Sequence, residues 1–385
     1  MTPPQTTTRR DVLLGAAALP LIAGVSTADA KAEPAGKVYR IGVISATIRG
    51  KPQPKNGHTW HFAQYLHPEI DLDAIKKHLD PGSADMFRKY NRNPKYTFEQ
   101  LPFPDTKITL YYDADPKVIP PYLEAFPGVK AAKSVEEMVE QVDAVWLGDA
   151  SGFGEDHFDL IAPALKKGLP TFCDKPIGGS VAGTRKILDF AKKHNAPIMS
   201  SSLFRHEWGM EAALRRRDSG DYGPIRHVVA SQQGGYSHDG WLVYGQHPAW
   251  TVVTLLGPKV EAVSLYAKES TAHALITYPG TQQPASIWYG RPNDKWEYCH
   301  TEVYFEKKKP EQESRFAFTP SIEGDFWYGH HYEMFRMAAT FREMVKTRKE
   351  PIPHDEIIAV TALVHAGAKS LKEKSRLVDI AEVSE

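Results

Sequence analysis

The sequence predicts an α/β protein: an N-terminal domain on a parallel sheet, then an α+β domain with an open, mostly antiparallel sheet. Three observations carry this. Strand-like runs at 37–45, 107–112 and 143–148 alternate with helical segments, the order that builds a parallel sheet. An acid pair, Asp113 and Asp115, and the step Asp174-Lys175-Pro176 follow such runs directly, where the carboxyl ends of parallel strands open onto a ligand crevice. Beyond residue 223, short strand-like runs at 223–231, 261–266, 272–278, 285–289 and 301–306 form a series suited to one open sheet.

A chain of 385 residues has material for two cores. Hydrophobic content of 42%, charged content of 24% and zero formal net charge describe a soluble globular protein and give no support to nucleic-acid or anionic-membrane binding. Cys173 and Cys299 allow one disulfide at most, and no Cys-x-x-Cys motif exists. Residues 1–30 read as a twin-arginine signal: Arg9-Arg10, an apolar run over 12–25, and Ala28-Asp29-Ala30 as the cleavage site. The run falls short of the roughly 20 apolar residues of a spanning helix, so no membrane attachment is expected after cleavage. The expected partner is the twin-arginine export machinery, and the expected location is the periplasm or another exported compartment.

The elements follow in order. The strand 37–45 runs into Ser45-Ala46-Thr47-Ile48-Arg49-Gly50. An insertion, 51–105, precedes the next strand; a helix enters at Gly57, and 81–104 reads as loop with short helical pieces. His58 and His61 share a helix face there, are too few for a metal site, and read as packing. Asp115 before Pro116 suits a helix cap. Ser134 and Glu137 form a capping box, and 149–154 is a Gly-rich turn opening the helix 155–167. After a buried strand, Pro176 removes a backbone donor and biases Lys175 toward an extended conformation, which holds its ammonium at the strand's end. A helix over 181–193 and a strand over 196–202 close the first domain, assigned to 37–202, and the second spans 203–385. Met334, Phe335, Ala338, Phe341 and Val345 stripe a long helix after Gly329, and Asp355 caps a last helix over 356–372. Aromatics at Trp288, Tyr289, Trp296, Tyr298, Trp327 and Tyr328 suit sheet or oligomer packing, or a sugar face. No metal site stands out among the 16 histidines.

Asp174-Lys175-Pro176 after Ala164-Leu165 and Gly168, with Asp113-Ala114-Asp115-Pro116 and Gly245-x-His247 ahead of Leu256-Gly257, resembles the Gfo/Idh/MocA (glucose-fructose oxidoreductase / inositol dehydrogenase) family. The resemblance runs with interruptions from about residue 37 to the C-terminus. It implies a Rossmann-like dinucleotide-binding domain and a substrate and oligomerisation domain. It further implies an NAD(P)-dependent oxidoreductase acting on a sugar or polyol, in a homo-oligomer. By the same resemblance Lys175 polarises the reacting oxygen and His247 accepts the hydroxyl proton. Arg205 and His206 fall at the substrate mouth, and Asp113 meets the adenosine ribose; apart from the resemblance, His330 or His331, opening the long helix, reads as a first-turn contact to the site, and His330 is the one assigned to substrate. Ser45, Thr47, Gly50 and Lys175 complete the cofactor contacts. The acid at Asp113 disfavours a 2′-phosphate and tilts the expectation to NAD over NADP.

Departures are specific. Ser45 and Thr47 stand where the family's phosphate turn has glycines, Asp149-Ala150 replaces a Thr-Pro pair, Val243 replaces the pattern's first, catalytic Asp and Trp250 its last Asp. His238 and Asp239 lie upstream and could compensate. Two alternatives therefore stay open: a redox-neutral lyase, epimerase or hydrolase on keto-sugars in the same crevice, and a non-catalytic carbohydrate-binding protein. An exported enzyme of this kind has no free nicotinamide pool outside the cytoplasm and has to carry its dinucleotide tightly held.

Overall fold

The computed structural model of the chain describes residues 36–53, 56–92, 101–149, 152–233, 237–280, 285–290, 299–320 and 326–384. The signal segment, Ala150, Ser151, Trp296 and Tyr298, and the side chains of Trp327 and Tyr328, lie outside the described residues.

In chain order β1 (Tyr39–Ser45) leads into a hairpin, β2 (Thr47–Ile48) and β3 (Lys51–Pro52), and then α1 (Gly57–Leu66), α2 (Leu72–His78) and α3 (Pro81–Arg92). There follow β4 (Thr106–Tyr112), α4 (Ile119–Ala125), β5 (Lys130–Ala131), α5 (Val135–Val139), β6 (Ala144–Gly148), α6 (His157–Lys166), β7 (Thr171–Cys173), α7 (Val181–Lys193) and β8 (Ile198–Met199). The six longer-range strands form one parallel sheet in the order β5-β4-β1-β6-β7-β8, the doubly wound order with its switch point between β1 and β6. β6 is buried at every position because helices cover both faces.

The rest comprises α8 (Trp208–Asp218), β9 (Ile225–Gln233), α9 (His238–Tyr244), α10 (Gln246–Leu256), β10 (Ala262–Lys268), β11 (Thr271–Thr277), β12 (Ala285–Gly290), β13 (Thr301–Phe305), β14 (Arg315–Phe318), α11 (Phe326–Thr347), α12 (His354–Lys372) and β15 (Val378–Asp379). Its sheet runs β14-β13-β9-β12-β11-β10-β15, antiparallel except where β12 meets β9. The alternating burial of β11 gives it one face on the helices and one outward.

Helix α11 returns to the first sheet. Phe341 stands edge-on to Trp146 at 5.1 Å, and Trp146 stacks on Phe172 at 3.8 Å. The Tyr65 hydroxyl of α1 donates to the His331 carbonyl, so α1 and α11 are bonded as well as packed.

Several local expectations are corrected. Residues 81–92 form a regular helix because Asp80 caps its start, accepting from the Ser83 N–H at 3.0 Å and hydroxyl at 2.7 Å. The strand expected over 196–202 shrinks to β8, and Leu203–His206 turns as a 3₁₀ helix with Ser202 accepting the Phe204 N–H. Asp115 caps no helix: its carboxylate accepts the Lys117 N–H at 2.9 Å, and α4 begins at Ile119 with Val118 as N-cap and no side-chain cap. Asp355 sits inside the first turn of α12, whose N-cap is Pro353. Ser134 accepts the Glu137 N–H as expected, but the Glu137 carboxylate turns to Lys133 N–H. Cys173 and Cys299 are separate buried thiols, not a disulfide.

Candidate active site

The crevice at the carboxyl edge of the first sheet has two ends, built in opposite ways. At one end the three positions of the expected phosphate turn do not share a turn. Ser45 ends β1 and is buried, with Oγ 3.4 Å from Asn56 Nδ2. Thr47 lies in β2, and both its N–H and its hydroxyl donate to the Asp156 carboxylate, at 2.9 and 2.7 Å. Gly50 is at the hairpin tip, where it and Arg49 take positive φ of 69° and 51°. The reason is steric: with Cβ atoms at 45 and 47 the chain stays extended past the strand, and the reversal waits for Arg49-Gly50. The helix that should receive a phosphate starts only at Gly57. Asn56 caps it, its side-chain oxygen accepting the His58 and Thr59 N–H groups at 3.1 and 3.2 Å. That first turn closes on the end of β6, where a Cβ at Gly148 would lie 2.8 Å from the Thr59 nitrogen.

Asp113 ends β4 at the place a ribose acid would occupy. Its carboxylate accepts the Asp115 N–H at 2.8 Å and the Tyr111 hydroxyl at 3.2 Å, and burial pulls its pKa above the ordinary range.

At the other end the side chains converge. Lys175 is buried after β7, its N–H donating to its neighbour Asp174 at 2.7 Å. Its ammonium lies 5.3 Å from the Tyr244 ring centre, and that ring stacks at 6.1 Å on His247. Helices α9 and α10 thus carry Tyr244 and His247 to the Lys175 edge. His247 Nδ1 is 2.6 Å from Ser202 Oγ. Burial first, then Lys175, His58 and His330, push the His247 pKa well below the ordinary histidine value, so the ring is neutral at neutral pH. His330, from α11, is held down to about 4 by burial, with Nδ1 3.3 Å from Glu333.

Beneath Lys175 lies a buried ionic layer. Asp149 Oδ1 accepts the Gly152 N–H at 2.7 Å, and Oδ2 lies 3.4 Å from His157 Nε2. Burial works to raise the Asp149 pKa, but His157 and Lys175 outweigh it and hold it at about 2. Burial likewise disfavours the His157 imidazolium, and the adjoining Cys173 sulfur and Asp149 carboxylate outweigh it, raising the His157 pKa well above 6.5.

Two expected substrate residues are corrected because their polar atoms are engaged inside the protein. Arg205 donates to Glu356 at 2.5 Å and Thr254 at 2.9 Å and packs over Trp250, joining α10 to α12. His206 is half-buried with Nε2 2.9 Å from Ser201 Oγ, and desolvation lowers its pKa to about 3. Nor does the upstream pair compensate for Val243. Asp239 is exposed and paired with Arg49, while His238 lines a separate cavity of about 400 Å³ with His365.

The residue that sequence reasoning set aside is His58. It stands in the first turn of α1, with Nδ1 on the Asp174 carboxylate. Nothing local signals a pairing across 116 residues; the one hint is that Asp174 stands where the family pattern has the longer Glu. Among the described residues no helix is long and apolar enough to cross a membrane.

Comparison with known proteins agrees with this architecture. Residues 92–202 match a family model described as "Oxidoreductase family, NAD-binding Rossmann fold". An inositol 2-dehydrogenase of Corynebacterium glutamicum is 26% identical over 114 residues, 29% of this chain and 30% of that one. An uncharacterized oxidoreductase of Streptococcus pneumoniae is 28% identical over 131 residues, 33% of this chain and 34% of the other. The chain thus aligns with about a third of the length of the curated relatives it matches. The crystal structure of scyllo-inositol dehydrogenase from Lactobacillus casei, with bound NAD(H) and scyllo-inositol, superposes with a TM-score of 0.65 at 15% identity, covering 90% of this chain and all of that one (100%). Sheet order and these matches agree: residues 92–202 match the Gfo/Idh/MocA family model, and the whole chain shares the fold of the solved dehydrogenase.

Proposed function

We propose that this chain is an NAD(P)-dependent oxidoreductase that interconverts a sugar or polyol hydroxyl and a ketone, exported through the twin-arginine pathway with its dinucleotide tightly held. The observation that carries the reading is the row Lys175, Tyr244, His247 at the carboxyl edge of the Rossmann sheet, contributed by both halves of the chain. The relative named inositol 2-dehydrogenase and the structure containing NAD(H) and scyllo-inositol support a polyol as substrate class.

The residues fit a dinucleotide at its two ends, with Asp113 at the adenosine ribose and Lys175 at the reacting end. Between them the turn donors are held by Asp156 and Asn56, so a pyrophosphate takes its contacts from elsewhere in the hairpin. The nicotinamide, when bound, supplies hydride chemistry. Lys175 polarises the reacting oxygen, its positive charge supported by Asp149. Neutral His247 hydrogen-bonds the same hydroxyl, and His330 borders it. The dinucleotide is NAD, because a 2′-phosphate would meet the Asp113 carboxylate. A homo-oligomer packs through the outer face of the second sheet, where Tyr266 and Leu275 are exposed.

The closed Thr47–Asp156 contact favours a second reading, a redox-neutral lyase or epimerase that keeps its nucleotide or has none. Denaturing the natively exported protein and assaying the supernatant for nicotinamide nucleotide separates them. Release of NAD, with reduction of the nucleotide by inositols or related polyols, is the expected result. No release, no binding of added NAD(P) and no polyol-linked reduction would overturn the reading.

A further inference from the structure

The family's catalytic aspartate is replaced by Val243, and His247 is a poor proton acceptor because burial and Lys175 both oppose its charging. A second imidazole stands beside it with the property His247 lacks. The His58 Nδ1 faces a carboxylate that is itself fixed: Asp174 Oδ2 also accepts the Asp149 N–H at 3.0 Å, and Oδ1 accepts the Lys175 N–H at 2.7 Å. A carboxylate partner only accepts, so the neutral ring carries its proton on Nδ1 and leaves the lone pair on Nε2. That nitrogen makes no hydrogen bond among the described residues, and the side chain is 19% exposed, so a small ligand reaches it. His247, by contrast, meets a serine hydroxyl, which can accept or donate and so leaves the tautomer open. His58 also lies close enough to His247 to act on its charge, as Lys175 does.

We propose that His58, oriented by Asp174, is the acid–base residue of this site, a role that rests on the oxidoreductase reading above. In the oxidative direction the substrate O–H bond breaks and its proton forms an N–H bond at His58 Nε2. The oxygen's electron pair closes the C=O bond as the C–H pair leaves as hydride to an oxidised nicotinamide. Asp174 touches no substrate; it fixes the ring's orientation and tautomer through Nδ1 and is a positioning residue. The reverse direction returns the same proton. In that arrangement Lys175 and His247 hold the oxygen while His58 moves its proton.

His58→Asn keeps an amide donor for Asp174 and removes the basic nitrogen. It should retain fold and nucleotide affinity and lose roughly 10²- to 10⁴-fold in kcat. His58→Ala should recover part of its rate with added imidazole. Independently of turnover, imidazole ¹⁵N shifts of the wild type at neutral pH should show His58 protonated at Nδ1 and bare at Nε2. Asp174→Asn should abolish that preference. Wild-type turnover in His58→Asn, or a proton found on Nε2, overturns the assignment and leaves the oxidoreductase reading standing. A wild type that reduces NAD(P) with no polyol defeats that reading, and the assignment with it.

Discussion

The two ends of the crevice start from the same sheet edge and solve opposite problems. At the hairpin end the donors of the expected phosphate turn are taken up internally: Asp156 accepts from Thr47, and Asn56 from the start of α1. At the lysine end Lys175 and His247 are buried and His58 half-buried, and among the described residues each keeps a reactive atom uncommitted. Self-satisfied polar groups make a rigid wall, and partly satisfied ones make a site, because a ligand then completes the bonding that folding left open. The same chemistry, carboxylate against donor, is structural at Asp156 and functional at Asp174; only the exposure of the partner's far atom differs.

The contrast can be broken most forcefully at Lys175. Lys175→Met keeps the stem that packs under Tyr244 and deletes the charge, so steady-state turnover should fall roughly 10³-fold or more with an unchanged circular dichroism spectrum. A smaller fall would mean that the lysine end is as structural as the hairpin end.

The ionic layer between the ends gives a pH test. Asp149 has its folded pKa depressed to about 2 from 3.8, so its contribution is whole above 3.8 and lost as pH falls toward 2. His157 has its folded pKa raised above 6.5, so its contribution is whole below 6.5 and lost as pH rises through the folded value. The pair therefore stabilises most between pH 3.8 and 6.5. Urea midpoints of wild type and Asp149→Asn should differ most in that window, by on the order of 2 kcal/mol, and converge at lower pH.

The smallest effect sharpens the hairpin end. Asp156→Asn keeps an acceptor for Thr47 and removes a negative charge from the phosphate path. NAD binding, read by calorimetry, should tighten by about 1 kcal/mol, roughly fivefold. Unchanged affinity would mean that the dinucleotide never approaches Asp156.

The larger architecture was legible because it rests on periodicity and punctuation. The strands at 107–112 and 143–148 and the helix at 181–193 recur within a residue or two as β4, β6 and α7. The edges were not: β14 is a short edge strand, and β15 is two residues long and pairs with β10, far away in sequence. In the site, Lys175 and His247 were singled out by motif spacing, and the structure brings both against Tyr244. The hairpin at 47–52 was hidden because missing glycines say what a turn cannot be, not what replaces it. Arg205 was misread because an arginine in a mouth motif looks identical whether its partner is a ligand or Glu356. His58 was hidden by the same blindness in reverse, its partner lying in another strand's exit.

Phe341, edge-on to the stacked pair Trp146 and Phe172, ties the last third of the chain into the nucleotide half. That bolt opposes a swing of the two halves about the crevice. Traffic into the crevice then depends on local give in its rim. Something the size of an inositol can slip past a moving side chain; a dinucleotide, several times longer, is easier to build around than to exchange.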